Sequence, residues 1–204
     1  LSDAITAEER VARTKHTVML GGGLVNLKAA FTLLERGVAV TLVVYSPEVL
    51  SQLMEPRDAL LIRQTLEDAG LNILTKRSVT RIIGNDNGVT SVLMDNGQEL
   101  TCEMVMIGKG VRPNAGFLES SGIKMDQGVV VNRYTRCNHP DVYAAGDVAV
   151  TFDPITGDRI MTGLWTNAVE MGRCAGRNMA GVITEYSGTF GIMNATQVAN
   201  LPFI

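Results

Sequence analysis

The segment of residues 17–44, TVMLGGGLVNLKAAFTLLERGVAVTLVV, constrains the fold more than any other stretch of the chain. An apolar, β-prone run leads into three consecutive glycines, and a helix-forming stretch then extends to Arg36. Gly37 stands where a helix C-cap is expected, and a second apolar run starts at Val38. The segment therefore predicts a βαβ unit, two parallel strands joined by a helix.

The glycines of this unit predict a phosphate-binding turn. Glycines between a strand and a helix let the backbone approach a pyrophosphate, which the N–H groups and dipole of the helix N-terminus then hold. The spacing is Gly21, Gly23 and Asn26, so a residue with a side chain occupies the third position of the usual G-x-G-x-x-G pattern. The residues expected at this site are those of the turn and the start of the helix: Gly21, Gly22, Gly23, Leu24, Val25 and Asn26.

Composition excludes several classes of function. The chain has 204 residues, 46% of them hydrophobic, which is enough for a packed core in one or two domains. The net charge is −3 and the basic residues are scattered, so no nucleic-acid or membrane-surface partner is expected. No apolar run approaches ~18 residues and no leader pattern is present, so neither a membrane span nor a signal peptide is predicted. A first residue that is Leu is compatible with a piece of a longer chain.

The three cysteines do not form a recognisable site. Cys102, Cys137 and Cys174 are far apart, odd in number and without a CxxC pattern or a histidine cluster. A disulfide framework or a metal site is therefore not expected, and a reducing, cytoplasmic environment fits best.

The first half of the chain predicts a parallel sheet. Residues 1–13 have the pattern of a short amphipathic lead-in helix. Residues 57–69 predict a helix that Gly70 ends, and residues 71–74 predict a third parallel strand. Residues 104–107 are apolar throughout, as expected of a strand buried on both faces.

An antiparallel β-meander is predicted to interrupt this sheet before its last strand. Residues 79–84 and 89–94 flank an Asn-Gly turn, and a second Asn-Gly turn leads into residues 99–102. The inserted meander is thus expected to have three strands.

The pattern changes after the GKGVRPN loop at residues 108–114, where a domain boundary is predicted. Short strands are expected at residues 129–131 and 141–145, a tight turn in DPITGDR, and a helix at residues 164–180. These elements are too few to close a sheet, which predicts that partner strands lie outside this chain.

Several motifs in this order resemble one protein family. The stretches GGGLVNLKAA, VTLVVYSPEVL, the meander, GKGVRPN, YAAGDVA and LWTNAVEMGRCAGRN resemble the pyridine nucleotide-disulfide oxidoreductase superfamily of FAD flavoproteins. The likeness is to the NADH-dependent rubredoxin, ferredoxin or nitrite reductase type. In that family, half of an FAD domain precedes an NAD(P) domain, the chain returns to finish the FAD domain, and an interface domain follows.

The resemblance implies an α/β fold that corresponds to the central part of such a protein. Residues 1–16 are expected to be a lead-in helix and linker. Residues 17–110 are expected to form a Rossmann-like NAD(P)-binding domain with the inserted meander. Residues 111–183 would be the returning, C-terminal half of the FAD-binding domain, and residues 184–204 the start of the interface domain.

The resemblance also implies roles for residues outside the glycine turn. Gly146 would permit close approach of the flavin, and the Asp147 carboxylate would accept its ribityl hydroxyls. The helix that begins near Trp165 would direct its positive N-terminus at the pyrimidine edge of the flavin. The loop with Gly108 and Gly110 would let the nicotinamide lie near the flavin. No catalytic acid or base is expected, because FAD and NAD(P) supply the hydride chemistry.

Three positions depart from the family pattern. Asn26 replaces the third glycine, and Lys28 stands where glutamate is usual. Val44 replaces the acidic residue that accepts the adenosine ribose hydroxyls, and Tyr45 and Ser46 supply no carboxylate. Val44 and Tyr45 are still expected at the adenosine end of the cofactor. These departures weaken a preference for NAD without favouring NADP.

Two hypotheses of different classes follow. The first is a part of an FAD- and NAD(P)-dependent oxidoreductase that moves a hydride from NAD(P)H to FAD and electrons to a protein or small-molecule acceptor. The isolated chain is then expected to be inactive and to hold FAD weakly, the missing FAD half coming from the rest of the chain or a separate subunit. A homodimer is compatible with the sequence. The alternative is a non-catalytic, degenerate dinucleotide-binding or structural module or subunit.

Overall fold

The computed structural model describes residues 2–189 and two short strands, Thr196–Val198 and Leu201–Phe203. By internal contacts the chain divides into two compact units. One unit comprises Leu1–Gly110 with Thr196–Phe203, and the other comprises Val111–Ala195 with Ile204. The division between Gly110 and Val111 falls inside the GKGVRPN loop. The assignment of residues 184–204 to an interface domain stays a prediction.

The first unit is built on two sheets. Its main elements are α1 (Ser2–Val11), β1 (His16–Leu20), α2 (Leu24–Glu35), β2 (Ala39–Val44), α3 (Pro56–Asp68), β3 (Asn72–Thr75), β4 (Val79–Asn85), β5 (Gly88–Met94), β6 (Glu99–Thr101) and β7 (Met104–Ile107). Four strands form a parallel sheet in the order β3-β2-β1-β7, and β4, β5 and β6 form the antiparallel meander. The predicted α/β fold with an inserted meander is confirmed, and the predicted ends of these elements differ from the observed ones by at most two residues.

Helix α2 is held on the sheet by its apolar face. Leu27, Ala30 and Leu33 are buried on this helix and pack in one cluster with Met19 and Leu42 of the strands. Burial of a leucine or methionine side chain of this kind stabilises the fold by about 1.5–3 kcal/mol. The helix therefore lies directly beside β1 and β2, with its N-terminus at the carboxyl end of β1.

The register of the parallel strands brings three loops to one edge of the sheet. Leu20, the last residue of β1, pairs with Val43 of β2 on one side and with Ile107 of β7 on the other. The segments that follow these three strands are consequently neighbours. A crevice at the carboxyl ends of parallel strands, where the chain leaves β1 in two directions, is the usual ligand site of such sheets.

The prediction that β7 is buried on both faces is wrong at its end. Met104 is buried, but 64% of Ile107 is exposed. The reason is that β7 lies at the edge of the described sheet and Ile107 is its last residue. An apolar run in sequence does not distinguish an edge strand from a central one.

The second unit is a small mixed sheet with one helix. Its elements are a 3-10 helix at Gly116–Leu118, β8 (Met125–Asp126), β9 (Gly128–Val130), a 3-10 helix at Gly146–Val148, β10 (Ala149–Phe152), β11 (Arg159–Ile160) and α4 (Trp165–Met179). The strand order is β11-β10-β9-β8, in which β9 and β10 are parallel. The predicted strand at residues 129–131 and helix at residues 164–180 are confirmed within one residue.

The predicted strand at residues 141–145 is wrong. Tyr143 forms only an isolated bridge with Arg136, and the strand that joins the sheet is β10, farther along the chain. Gly146 lies between them with φ of 75°, which breaks the extended run. The described part of this unit has four strands instead of two, each two to four residues long. That partner strands lie outside the chain stays a prediction.

None of the helices in the described part of the chain has the length and apolar character that crossing a membrane requires.

The Glu103 side chain accepts hydrogen bonds from the backbone at the start of β1. These bonds predict that the free energy of unfolding depends on pH. Glu103 Oε2 accepts the backbone N–H groups of His16 at 2.8 Å and Lys15 at 3.0 Å. The bond from His16, more than that from Lys15, lowers the pKa of the Glu103 carboxyl from its ordinary value. A carboxyl with a lowered pKa stabilises the fold above its unfolded-state pKa, and this contribution is lost as the pH falls through the folded-state pKa.

We therefore expect Glu103→Gln to lower the free energy of unfolding at pH 7 by roughly 0.5–1 kcal/mol. The difference from the native chain should shrink as the pH is lowered below about 4, because the native carboxyl becomes neutral as well. Thermal unfolding at a series of pH values measures this. Asp86→Asn, in the β4–β5 turn, is the matched control and should show no such convergence. A difference that stays constant down to pH 3 contradicts the assignment.

Candidate functional site

A cleft of about 490 Å³ lies at the carboxyl edge of the parallel sheet in the first unit. It is lined by the glycine turn, the loop after β2, the segment after β3 and the loop after β7: these include Gly21, Gly22, Gly23, Val44, Tyr45, Ser46, Glu48, Arg77, Gly108, Lys109 and Gly110. Of the predicted residues, the three glycines of the turn, Val44 and Tyr45 at the end of β2, and Gly108 and Gly110 of the GKG loop line this cleft, whereas Leu24, Val25 and Asn26 are not among its lining residues.

The first two glycines of the turn are required by packing within the chain. Gly21 has φ of 107°, and a Cβ there would lie 2.4 Å from the Gly108 carbonyl oxygen. A Cβ on Gly22 would lie 3.0 Å from Val44 Cγ1 and 3.2 Å from Val49 Cα. A side chain at position 21 would overlap the backbone of Gly108, and one at position 22 would fit only if Val44 and Val49 moved by a few tenths of an ångström.

Gly23 differs from its two neighbours. A Cβ at this position would meet no atom of the described structure within 4 Å, and its φ of −84° and ψ of 166° suit any residue. Neither packing nor backbone geometry therefore explains the glycine. A glycine that faces open space at the entrance of a helix is what a ligand in close contact with the backbone requires.

The N-terminus of α2 lies at the same place and is uncapped. Its N-cap residue is Gly23, which has no side chain to accept a hydrogen bond, and no acidic residue occupies the first turn. Leu24 is partly buried against the core, whereas Val25 is 78% exposed. The first N–H groups and the positive dipole end of this helix are therefore free to hold an anion.

Asn26, which replaces the third glycine of the pattern, does not line the cleft but lies beneath it. Its side chain is buried, and Nδ2 donates hydrogen bonds to the carbonyl oxygens of Leu20 and Gly21, both at 2.8 Å. The predicted departure from the pattern is thus a buried polar group with both of its N–H donors satisfied.

The end of β2 holds no acidic residue at the expected place. Val44 is buried beneath Gly22, and Tyr45, 81% exposed, lines the cleft. A carboxylate lies four residues later: Glu48 lines the cleft, with Oε1 3.3 Å from Nη1 of Arg63. Glu48 Oε2 is buried and has no hydrogen-bond partner among the described residues. The cleft thus has a carboxylate near the end of β2, at Glu48 and not at position 44.

Three charged residues of the cleft were missed by sequence reasoning. Glu48, Arg77 and Lys109 all line it. The sequence signal for Glu48 is its place in the loop directly after β2, at the carboxyl end of the sheet. Arg77 follows β3 and is held there because its backbone N–H donates to the Val44 carbonyl at 3.2 Å. Arg77 reaches the cleft because β3, which precedes it, pairs with β2.

The second unit brings together its own three predicted residues. Gly146, with φ of 75°, would place a Cβ 3.3 Å from Cβ of Ala168 on α4. The neighbouring Asp147 is exposed, and its Oδ2 lies 3.6 Å from where Gly163 would carry a Cβ. Helix α4 begins at Trp165, two residues after Gly163, and Trp165 is 85% exposed. This helix has no side-chain cap and no acidic residue in its first turn. An exposed carboxylate therefore lies near an uncapped helix N-terminus.

The cysteines and the other metal-ligating residues do not add a second type of site. All three cysteines are free and buried, and burial is the main cause that raises the pKa of the Cys102 thiol. A buried thiol with a raised pKa is a poor nucleophile. Within the described ranges, no group of three or more His, Cys, Asp or Glu side chains could hold a metal ion.

Comparison with known proteins places this architecture in a family. The family model described as pyridine nucleotide-disulphide oxidoreductase matches residues 2–172. An NADH oxidase of Methanocaldococcus jannaschii is 31% identical over 173 residues, which cover 84% of this chain and 38% of that protein. The NADH-dependent phenylglyoxylate dehydrogenase subunit epsilon of Aromatoleum evansii is 32% identical, covering 92% of this chain and 45% of that protein.

The solved structures agree with this assignment. A ferredoxin reductase from Rhodopseudomonas palustris superposes with a TM-score of 0.84 at 25% identity, covering 92% of this chain and 46% of that one. The chain spans less than half the length of these relatives. Two further solved structures that share this fold at 24% identity are an FAD-dependent pyridine nucleotide-disulphide oxidoreductase from Desulfovibrio vulgaris and a water-forming NADH oxidase from Lactobacillus brevis bound to NADH. On the match to more than half of its residues, this chain belongs to the pyridine nucleotide-disulphide oxidoreductase family of flavoproteins.

Proposed function

We propose that this chain contributes the NAD(P) site and part of the FAD site of a flavoprotein oxidoreductase that transfers a hydride from NAD(P)H to FAD and electrons to a further acceptor. The observation that carries the proposal is Gly23. It is a glycine that no contact or dihedral angle of the chain requires, at the uncapped N-terminus of α2 and within a cleft of dinucleotide-binding type.

The cleft residues have distinct tasks in this proposal. The free N–H groups at the start of α2 hold the pyrophosphate, and Gly23 leaves room for it. Tyr45 and Glu48 lie at the adenosine end, where the Glu48 carboxylate accepts ribose hydroxyls in place of the residue missing at Val44. Gly108 and Gly110 form the opposite wall and leave space for the nicotinamide ring.

The second unit contributes to flavin binding. Asp147 accepts hydrogen bonds from the flavin side chain, with Gly146 permitting its approach, and the N-terminus of α4 at Trp165 stabilises negative charge. The cofactors supply the redox chemistry, a hydride passing from nicotinamide to flavin. The chain's residues bind and orient, and no side chain is assigned as an acid or base.

The rest of the activity lies beyond this chain in the proposal. Because the chain spans 38% to 45% of its relatives, the remaining FAD-binding residues are assigned to further sequence or to a separate subunit. The acceptor is a protein or a small molecule. Three free, buried cysteines are the state that a reducing cytoplasm maintains, and we assign the protein to that compartment.

A second candidate is a degenerate module that keeps the fold but no longer binds dinucleotide. It is favoured by one observation, the buried Val44 at the position of the ribose-binding acid. The two candidates differ in whether the cleft binds dinucleotide at all.

Isothermal titration calorimetry of the 204-residue chain with NADH, NADPH and ADP-ribose distinguishes these candidates. We expect at least one of the three to bind with a dissociation constant below about 100 μM, which is roughly −5.5 kcal/mol. Heat changes no larger than dilution for all three contradict the proposal and support the degenerate module.

The Gly23→Ala variant tests whether glycine at this position is required for ligand binding or for folding. The substitution should change the melting temperature little, because the lower entropy of the unfolded chain, about 0.4–1 kcal/mol, is offset by the weaker N-capping of alanine compared with glycine. It should weaken dinucleotide binding at least tenfold, about 1.4 kcal/mol, since the methyl group occupies the space of the phosphate. Calorimetric titration and thermal unfolding measure the two effects.

Gly172→Ala on α4 is the matched control, since a Cβ there also meets nothing within 4 Å. It should stabilise the helix by up to about 1 kcal/mol and leave binding unchanged. Equal affinities of the native chain and the Gly23→Ala variant would remove the observation on which the proposal rests.

A further inference from the structure

We infer that Asn26 is a positioning residue for the dinucleotide cleft and that it acts as one member of an interdependent pair with Gly108. The buried amide holds the glycine turn and the GKG loop, residues 108–110, at a set separation. This inference rests on the proposed function of the cleft and assigns a role to the residue that departs from the glycine pattern.

The first step is the junction at the end of β1. The carbonyl oxygen of Leu20 accepts two hydrogen bonds, from the Gly108 backbone N–H at 2.9 Å and from Asn26 Nδ2 at 2.8 Å. One oxygen thus joins the first turn of α2, the end of β1 and the loop after β7. Asn26 has a relative exposure of 3% as a whole residue, so water does not compete for these bonds.

The second step concerns the carbonyl of Gly21. Its oxygen accepts the other Nδ2 hydrogen of Asn26 at 2.8 Å. Since Asn26 lies outside the lining of the cleft, this oxygen is directed at the buried amide. A carbonyl oxygen turned into the cleft would repel a phosphate, so the amide keeps the turn in the orientation that an anion requires.

The third step explains the glycine at position 108. A Cβ on Gly108 would lie 2.2 Å from Asn26 Oδ1, 2.6 Å from its Cγ and 2.9 Å from its Nδ2. The three nearest atoms therefore all belong to one side chain. Gly108 does not have a positive φ, so its backbone would accept alanine. The Asn26 side chain, and not the backbone conformation, is what requires glycine at this position.

Because of these contacts, the residue that can be accommodated at position 108 depends on the residue at position 26, and the reverse is also true. In the usual pattern a glycine at position 26 leaves space between helix and strand. Here the Asn26 amide fills that space. Because Gly108 has no side chain, it leaves the room that the amide needs on the side of the loop after β7. The orientation of the turn is then set by two hydrogen bonds instead of by close backbone packing.

The test uses three variants of the 204-residue chain: Asn26→Ala, Gly108→Ala and the double variant. Melting temperatures are measured for each, and dissociation constants are measured at 15 °C for NADH, NADPH and ADP-ribose. Gly108→Ala should lower the melting temperature, because its methyl group overlaps the amide. Adding Asn26→Ala to that variant should raise the melting temperature again, since the overlapping atoms are gone. A double variant no more stable than Gly108→Ala overturns the pairing.

The positioning role is tested by affinity. Asn26→Ala should weaken binding at least fivefold at a temperature where the variant is fully folded by circular dichroism, whereas a purely structural role would change only the melting temperature. Asn26→Gly, which restores the usual pattern, is the second variant in case Asn26→Ala does not fold, and the same loss is expected. Gly172→Ala should bind like the native chain. If the native chain binds and both Asn26 variants bind equally well, the positioning role alone fails. If the native chain binds none of the three ligands, the proposed function fails together with the positioning role.

Discussion

Strand β1 pairs in parallel with β2 on one side and with β7 on the other, and these two pairings position the loops that form the cleft. β2 is next to β1 because α2 crosses back over the sheet between them, and β7 reaches the other side only after the whole meander. Both pairings end at the same level. The turn, the loop after β2 and the GKG loop consequently enclose one cleft, although nearly 90 residues separate its most distant members in sequence.

The three glycines of the turn illustrate two different reasons for the same residue. A Cβ on Gly21 would overlap the Gly108 backbone, and a Cβ on Gly22 would be crowded by Val44 and Val49. Gly23 has no such neighbour in the described structure. The three consecutive glycines therefore differ in role. Packing within the chain accounts for Gly21 and Gly22, whereas it does not account for Gly23. Such a distinction needs the positions of β2 and the GKG loop.

Much of the first unit was predictable from local patterns. The alternation of apolar strands, a helix and glycine stops encodes the βαβ unit, and two Asn-Gly turns encode the meander, because these signals act over a few residues. The second unit was harder. Its strands have two to four residues, too short for a periodic pattern, and Gly146 interrupts the run that was expected to be a strand. Cleft residues such as Arg77 were missed for a related reason, since their place depends on pairing between β2 and β3.

The βαβ unit, the meander and the order of motifs that indicates the family are encoded locally in the sequence, because hydrophobic periodicity and glycine turns are properties of neighbouring residues. The sequence marks Asn26 and Val44 only as departures from a pattern. The physical role of the residues at these two positions follows from the folded structure. The Asn26 amide donates hydrogen bonds to the carbonyl oxygens of Leu20 and Gly21 and packs against Gly108. Although position 44 is a valine, the Glu48 carboxylate lies in the cleft. The contact between Asn26 and Gly108, which are far apart in sequence, exists only once β7 has paired with β1 in the parallel sheet.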